Sequence, residues 1–460
     1  MRLLELIILL FNGGLLYLLF SKKDRVAFLY TLFCLLIVTL IHFYFESSRW
    51  QMTLAYFFPV IAYLLHKKNV RKPKKLWLLP MGLWLLVSAL LSWLFPVFSL
   101  PEPTGSHSIG TETFHWVDSS RLEWFTNEIP DDVRELMVQV WYPTKETQSE
   151  KTPYFDFVDQ RAETLTKAGG LPSFFANHLD LIQTNAHQKA TILSSEAGWP
   201  VLIFSHGITG ARYLHTSLIE NLVSHGFIIF GLDHAYDANI TIFPDGHIAD
   251  YRSDLGGNLD SLLIRKKQME TRTKDLSYII NQIEKMNSGN LSPQFAGKFN
   301  LNKIGAIGHS YGGAAVINAS VNDARIKACF ALDGWINPLP KTTLKSGLDI
   351  PFYFMGRPSW KNSDYPNNYE LLTELIQNSQ SENRFVVLEN TGHLTFTDTP
   401  LFSPLVRYFL DVGTLDANLS QTIINEQVLG FFRHYLLFSS RIFEISNQSH
   451  LSIQTMKLKQ

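Results

Sequence analysis

The 460-residue chain is poor in cysteine, and its two cysteines, Cys34 and Cys329, stand far apart in apolar runs. We interpret both as small buried hydrophobic residues, because one distant pair supports neither a disulfide framework nor a thiolate metal site. Nothing in the sequence resembles a zinc-binding motif, so we expect no metal and no cofactor. The formal net charge is −1, and basic blocks are lacking outside the N-terminal part, which argues against a nucleic-acid partner.

The first hundred residues of the chain differ from the rest in composition. Apolar runs cover residues 3–20, 26–45, 52–65 and 76–98, and the charged residues lie between them. The second and fourth runs are long enough to span a bilayer, for which about 20 residues are needed. The first run could also be a signal peptide, but no small-residue cleavage pattern follows it. We predict a transmembrane bundle of four helices in residues 1–98, with three helices as the alternative.

Basic residues between the apolar runs predict the orientation of this bundle. Lys22, Lys23 and Arg25 lie in the first loop, and six more lie in the third: Lys67, Lys68, Arg71, Lys72, Lys74 and Lys75. By the positive-inside rule, both loops are cytoplasmic, so everything after residue 98 is extracytoplasmic. We therefore expect an integral protein of the plasma membrane with an external soluble domain. Protein partners cannot be read from the sequence.

Residues 99–113 are rich in turn-forming residues and predict a linker. A catalytic domain is predicted for residues 114–446, followed by a polar tail at 447–460. Within that domain, short apolar runs alternate with helical patterns, which is typical of an α/β fold with a mostly parallel sheet and helices on both faces.

The motif on which the functional interpretation depends is Gly308-His309-Ser310-Tyr311-Gly312, between a predicted strand and a predicted helix. This is G-x-S-x-G, the sharp strand-to-helix turn that exposes a nucleophilic serine. Side chains at Gly308 or Gly312 would collide with neighbouring backbone in so tight a turn. Since the pattern also occurs by chance, partners for Ser310 must be sought.

Those partners are expected at the carboxyl ends of the strands, where chemistry collects in such sheets. Asp333 directly follows one predicted strand, and His393 follows the last one. The chain order Ser, Asp, His is that of α/β-hydrolases. We predict Ser310 as nucleophile, His393 as base and Asp333 as the acid that orients the imidazole. Backbone N–H groups of Ile208 and Tyr311 are the predicted oxyanion donors.

Other residues compete for these roles. Asp349 precedes its strand and so lies at the wrong end of the sheet, and Asp233 ends a strand that comes before the nucleophile. His309 occupies the variable position of the turn and is expected to point away from its apex. His206 is expected to brace the oxyanion loop through its ring.

Four short stretches and one long one resemble the platelet-activating factor acetylhydrolase family of the α/β-hydrolase superfamily. They are IFSHGI at 203–208, SHGFI at 224–228, GHSYGG at 308–313, ALDGW at 331–335 and LDANLSQTIINEQVLGFFRHYL at 415–436. The resemblance spans roughly residues 135–437, and the membrane bundle is not part of the family pattern.

The resemblance implies a metal-independent serine hydrolase that cleaves short or oxidised sn-2 acyl chains of phospholipids, with Ser310, Asp333 and His393 as the triad and Ile208 and Tyr311 as oxyanion donors. A general carboxylesterase, lipase or peptidase of the same fold is the alternative. A non-catalytic binding protein built on the hydrolase fold is the third possibility, since fold alone does not fix function.

Overall fold

The computed structural model describes residues 1–21, 25–67, 77–167, 170, 172–253, 261–437 and 449–457. The chain forms two compact units. The first contains Met1–Ser99, Phe155–Ile182 and Leu401–Phe409, and the second contains Leu100–Tyr154, Gln183–Pro400 and Leu410–Gln460. Most of the basic residues that predicted the membrane orientation, at positions 22, 23, 68, 71, 72, 74 and 75, lie outside the described residues.

The first unit is helical. Its α-helices are α1 (Leu3–Phe20), α2 (Arg25–Phe45), α3 (Thr53–Lys67), α4 (Leu78–Leu94) and α5 (Val158–Lys167). A 3-10 helix, Ser173–Leu181, follows α5. Among the described residues, α1 and α2 are long and apolar enough to cross a membrane, whereas α4 is apolar but shorter. Length and composition alone therefore allow two spans here, which by itself is weak evidence for a membrane bundle.

One polar contact lies inside this helical unit. Arg49 donates to both carboxylate oxygens of Glu5, over 2.6 and 2.7 Å. The same guanidinium donates to the carbonyl oxygen of Ser92 in α4. Both charged side chains are fully buried, so the pairing avoids the large cost of an isolated buried charge. The pair thereby ties the loop before α3 to α1 and α4.

The second unit is built on an eleven-stranded sheet with the order β13-β12-β11-β10-β9-β5-β6-β2-β1-β4-β3. The strands are β1 (Ser108–Leu122), β2 (Val133–Thr144), β3 (Lys151–Pro153), β4 (Gln183–Gln188), β5 (Trp199–Ser205), β6 (Ile228–His234), β7 (Ile240–Ile242), β8 (Ile248–Asp250), β9 (Phe299–His309), β10 (Ile326–Leu332), β11 (Phe352–Gly356), β12 (Asn383–Leu388) and β13 (Leu451–Lys457). Strands β7 and β8 form a separate two-stranded ribbon. The six consecutive strands from β12 to β6 run parallel to one another.

Helices cover both faces of this sheet. They are α6 (Thr216–Ser224), α7 (Ser261–Asn287), α8 (Tyr311–Asn322), α9 (Lys341–Ser346), α10 (Asn368–Asn378) and α11 (Ala417–Leu437). Strand β5 shows the two-sided packing: Val201 and Ile203 lie in the core formed with α7 and α8, whereas Leu202 and Phe204 lie in the core formed with α6 and α11. A continuous apolar run is required for such a strand, because both sets of alternating side chains are buried. The predicted α/β fold with a mostly parallel sheet is confirmed.

Three predicted boundaries differ from the structure. The linker predicted for 99–113 ends earlier, because β1 begins at Ser108 and pairs with β2 and β4. The predicted polar tail, residues 447–460, contains β13, which pairs antiparallel with β12 at the sheet edge. Residues 155–182 and 401–409, predicted within the catalytic domain, belong to the helical unit. In each case long-range pairing or packing decides, and local composition does not report it.

Candidate active site

The turn around Ser310 joins the carboxyl end of β9 to the first residue of α8. Ser310 has φ +56° and ψ −122°, a left-handed backbone conformation that non-glycine residues seldom adopt. A Cβ at Gly308 would lie 2.3 Å from the carbonyl oxygen of Gly312, and a Cβ at Gly312 would lie 2.1 Å from that of Ser205. Both glycines are therefore needed for the turn to close, as the sequence predicted.

His393 contacts Ser310 directly. It opens a short 3-10 helix, His393–Phe396, beyond the end of β12. Its Nε2 lies 2.8 Å from Ser310 Oγ, within normal hydrogen-bond distance. The backbone N–H of His393 donates to a carboxylate oxygen of Asp411 over 3.0 Å, which fixes the loop that carries the imidazole. The imidazole is thus placed to take a proton from the serine hydroxyl.

Asp333 lies on the other side of the imidazole, directly after β10. Its Oδ2 accepts a hydrogen bond from His393 Nδ1 at 2.5 Å. Its Oδ1 accepts two more, from Trp360 Nε1 at 3.0 Å and from the backbone N–H of Arg357 at 3.1 Å. The carboxylate is fully buried, so these donors replace the water that it loses.

The electrostatics of Asp333 favour its ionised form. Burial raises the pKa of Asp333, but the hydrogen bond and charge of His393 and the Arg357 guanidinium outweigh it, so the pKa lies below its usual value. The Arg357 Nε atom is 3.5 Å from Oδ2. A carboxylate that stays ionised can hold the Nδ1–H tautomer of the imidazole and leave Nε2 free to accept a proton.

Two backbone segments meet beside Ser310 and offer the predicted oxyanion donors. Tyr311 is the first residue of α8. The backbone N–H groups there have no acceptor within the helix and form the positive end of its dipole. Ile208 lies in the loop after β5. In that loop, a Cβ at Gly207 would lie 3.1 Å from Ser310 Cβ, so the loop backbone approaches the turn closely.

The ring of His206 hydrogen-bonds within this loop, as predicted. Its Nδ1 donates to the carbonyl oxygen of Gly207 over 2.6 Å, and its Nε2 accepts the backbone N–H of His234 over 3.1 Å. Burial and the nearby Arg272 charge lower the pKa of His206 to about 4, so the ring is neutral. His234 is also buried, between Ser205 Oγ and Asp275. Neither ring is bonded to Ser310.

Three residues at the site were missed by sequence reasoning. His309 was expected only to point away from the apex of the turn, yet its Nε2 donates to the carbonyl oxygen of His393 over 3.0 Å. Burial and the neighbouring His393 lower the pKa of His309 to about 3, which keeps it neutral. Trp360 and Arg357, the donors to Asp333, carry no sequence signal, because the loop after β11 has no motif. Only the position of that loop at the carboxyl end of a strand could have drawn attention to it.

Comparison with known proteins assigns the chain to a family by its sequence. The sequence model of "Platelet-activating factor acetylhydrolase, isoform II" matches residues 95–452, the greater part of the chain. The chain belongs to this family. As a platelet-activating factor acetylhydrolase family member, it is a serine ester hydrolase with phospholipase-like activity.

Three relatives share low sequence identity with this chain, but each match covers more than half of both chains. Platelet-activating factor acetylhydrolase of Canis lupus familiaris is 24% identical over 358 residues, which cover 73% of this chain and 77% of the relative. The protein of the same name from Cavia porcellus is 25% identical over 374 residues, covering 76% of this chain and 80% of the relative. A probable 1-alkyl-2-acetylglycerophosphocholine esterase of Arthroderma benhamiae is 27% identical over 266 residues, covering 54% of this chain and 62% of the relative.

A solved structure supports the fold. Ferulic acid esterase from Streptomyces cinnamoneus superposes with a TM-score of 0.63 and 24% identity, covering 78% of this chain and all of that chain. This superposition supports the α/β-hydrolase fold of the family member. At so low an identity it gives no information about the substrate.

Proposed function

We propose that the chain hydrolyses carboxylic esters with Ser310 as nucleophile, His393 as general base and Asp333 as the orienting acid. The observation that carries the proposal is the continuous hydrogen-bond chain from Ser310 Oγ through both ring nitrogens of His393 to Asp333 Oδ2, over 2.8 and 2.5 Å. Support also comes from the strained backbone at Ser310, which is typical of a nucleophile held at the apex of such a turn.

The reaction proceeds in two halves. Ser310 Oγ attacks the ester carbonyl carbon while His393 Nε2 takes the hydroxyl proton, and the charge that forms on the carbonyl oxygen is held by the N–H groups of Ile208 and Tyr311. The tetrahedral intermediate then expels the alcohol, which receives the proton from His393, and leaves an acyl group on Ser310. Water, deprotonated by the same imidazole, attacks this acyl-enzyme and releases the carboxylic acid.

For the substrate we propose a phospholipid with a short or oxidised acyl chain at the sn-2 position. The family assignment and the names of the relatives, several of them platelet-activating factor acetylhydrolases, support this choice. Cleavage of such a chain would yield a lysophospholipid and a short carboxylic acid.

We further propose that the N-terminal helices anchor the enzyme in the plasma membrane, with the catalytic residues on the extracytoplasmic side. The apolar length of α1 and α2 supports anchoring. The basic first and third loops of the sequence support the orientation. An enzyme held at a bilayer would meet amphiphilic esters at high local concentration.

Labelling with a fluorophosphonate probe tests the nucleophile. We expect the probe to modify Ser310 in the full-length protein in detergent, and Ser310→Ala to fold and yet lose labelling and about 10⁶-fold in kcat. A Ser205→Ala variant is the control, since that serine is fully buried and hydrogen-bonded to His234. Absence of labelling in folded wild-type protein would favour a non-catalytic binding protein, and turnover of Ser310→Ala within tenfold of wild type would place the nucleophile elsewhere.

A substrate panel separates the remaining alternatives. The same protein is assayed on p-nitrophenyl acetate, on phospholipids with acetyl or palmitoyl at sn-2, and on peptides. Preference for the acetyl phospholipid supports the proposed substrate, whereas equal or better cleavage of peptides or of long-chain lipids contradicts it. A reporter that is active only in the cytoplasm, fused after residue 98, checks the orientation: activity would contradict it.

A further inference from the structure

We infer that Arg272 is a positioning residue for the oxyanion site, which it serves by orienting the peptide bond between Gly207 and Ile208. The inference rests on the proposed function, since it deepens the role of the Ile208 N–H. Arg272 lies on α7, in a helix with no motif, and its side chain is 1% exposed. Burying a charged guanidinium costs free energy unless its hydrogen bonds compensate for the lost water, and this one has its partners in and beside the loop after β5.

The guanidinium hydrogen-bonds to the backbone of the loop after β5. Its Nη1 donates to the carbonyl oxygen of His206 over 2.5 Å, and its Nη2 lies 3.5 Å from the carbonyl oxygen of Gly207. Its Nε donates to the carboxylate of Asp237. The planar fork of an arginine can hold several acceptors in a fixed geometry, which a lysine ammonium cannot.

These contacts set the direction of the Ile208 N–H. The carbonyl oxygen of Gly207 also accepts from His206 Nδ1 over 2.6 Å and from the backbone N–H of Gly210 over 3.1 Å. In a planar trans peptide, the N–H points opposite to the carbonyl. Holding the Gly207 carbonyl on the side of the buried donors therefore turns the Ile208 N–H away from Arg272. A Cβ built on Gly207 would lie 3.1 Å from Ser310 Cβ, so this stretch of backbone, and with it the Ile208 N–H, lies close to the nucleophile.

Arg272 also contacts the residue that carries the second donor. Its guanidinium carbon lies 4.8 Å from the centre of the Tyr311 ring, in the range of a cation–π contact. Tyr311 is fully buried, and its hydroxyl donates to the carbonyl oxygen of Arg265 over 2.8 Å. One guanidinium thus fixes the loop of Ile208 and packs against the side chain of Tyr311, so the spacing of the two N–H groups depends on it.

Asp237 completes the arrangement. Its carboxylate accepts from Gln268 Nε2 over 3.2 Å, and its backbone carbonyl accepts the N–H of Thr209 over 3.2 Å. Burial raises the pKa of Asp237, but the charge and hydrogen bond of Arg272 have the larger, opposite effect. The pKa therefore lies below its usual value, and the carboxylate is ionised. The Asp237 charge balances that of Arg272. Substitution must therefore avoid leaving either charge alone in the interior.

Two variants of the full-length protein test the role. Arg272→Lys keeps the positive charge beside Asp237 but cannot hold both carbonyls. The double variant Arg272→Met with Asp237→Asn removes both charges together. The control is Arg325→Lys, since Arg325 pairs with Asp323 and Glu284 near the amino end of β10, the opposite end from the site. Each protein is assayed for thermal unfolding, for kcat and KM on p-nitrophenyl acetate, and for inhibition by an alkyl trifluoromethyl ketone, whose serine adduct carries an oxyanion.

We expect both Arg272 variants to fold, with KM within about threefold of wild type and kcat lowered about 10- to 100-fold, less than the loss of a whole donor. The inhibition constant of the ketone should rise by a similar factor, because its oxyanion uses the same N–H groups. Arg325→Lys should change none of these values.

Several results would overturn the inference. They are a wild-type kcat in either folded Arg272 variant, a lowered kcat with unchanged ketone affinity, and failure of both variants to fold, which would make the role purely structural. The proposed function is judged separately by fluorophosphonate labelling of the wild type at Ser310. If labelling succeeds while the Arg272 variants keep their kcat, only the positioning role is lost.

Discussion

Replacing Asp333 with Asn should put a hydrogen-bond donor where His393 needs an acceptor. The structure decides which way the new amide points. Oδ1 of Asp333 accepts from Trp360 Nε1 and from the backbone N–H of Arg357, so the amide oxygen must take that position. The NH₂ group then faces His393 Nδ1, in place of the oxygen that accepts from it now. Nδ1 must become the acceptor, and the ring proton moves to Nε2.

The expected loss follows from this tautomer. With a proton on Nε2, the imidazole cannot take the proton of Ser310. A serine triad with the wrong tautomer loses about 10⁴-fold in kcat, which corresponds to about 5 kcal/mol of transition-state stabilisation. Folding should survive, because Asn matches Asp in shape and tolerates the left-handed backbone of this position, where φ is +40°.

The assay is kcat on p-nitrophenyl acetate together with the rate of fluorophosphonate labelling, both measured on protein whose thermal unfolding is checked. Asp349→Asn serves as the matched control, since Asp349 is exposed and lies before β11 rather than after a strand. It should leave both rates unchanged. A folded Asp333→Asn protein that keeps kcat within tenfold of wild type would refute the reasoning.

Two further predictions concern stability. Gly312→Ala should reduce the free energy of unfolding by more than about 2 kcal/mol, because its Cβ would lie 2.1 Å from the Ser205 carbonyl oxygen. Urea unfolding measures this loss. The control is Gly246→Ala, which should lower the free energy of unfolding by less, because Gly246 has φ +89° but open space around it. Burial raises the pKa of Asp398 to about 8, against a hydrogen bond from Tyr154. Because the unfolded chain releases this proton near pH 4, the folded state binds more protons between about pH 4 and 8, and stability should fall as pH rises through that window. Asp398→Asn should flatten the pH dependence of thermal unfolding; an unchanged slope would show that this carboxyl is not the cause.

Much of the fold could be read from the sequence because its signals are local. The apolar run of β5 predicts a strand buried on both faces, and Val201 and Leu202 do lie in separate cores. Long-range pairing leaves no such signal: β13 lies in the segment predicted as a polar tail and is a strand because β12 offers it an edge.

The candidate site divides in the same way. Ser310, Asp333 and His393 could be picked out because each follows a strand, and the carboxyl ends of parallel strands meet at one edge of the sheet. The structure brings these three side chains together, and their catalytic roles are predictions for the experiments above.

Tertiary structure alone decided what holds those residues in place. Trp360 and Arg357 donate to Asp333, His309 donates to the loop of His393, and Arg272 donates to the loop of Ile208. Trp360 and Arg357 share the loop after β11, whereas His309 ends β9 and Arg272 lies in α7. None of them has a sequence pattern of its own, since any donor at the right distance would serve. A reacting group is limited by its chemistry to a few residue types and can be recognised in a sequence. A supporting hydrogen bond is limited by geometry, which exists only once the chain has folded.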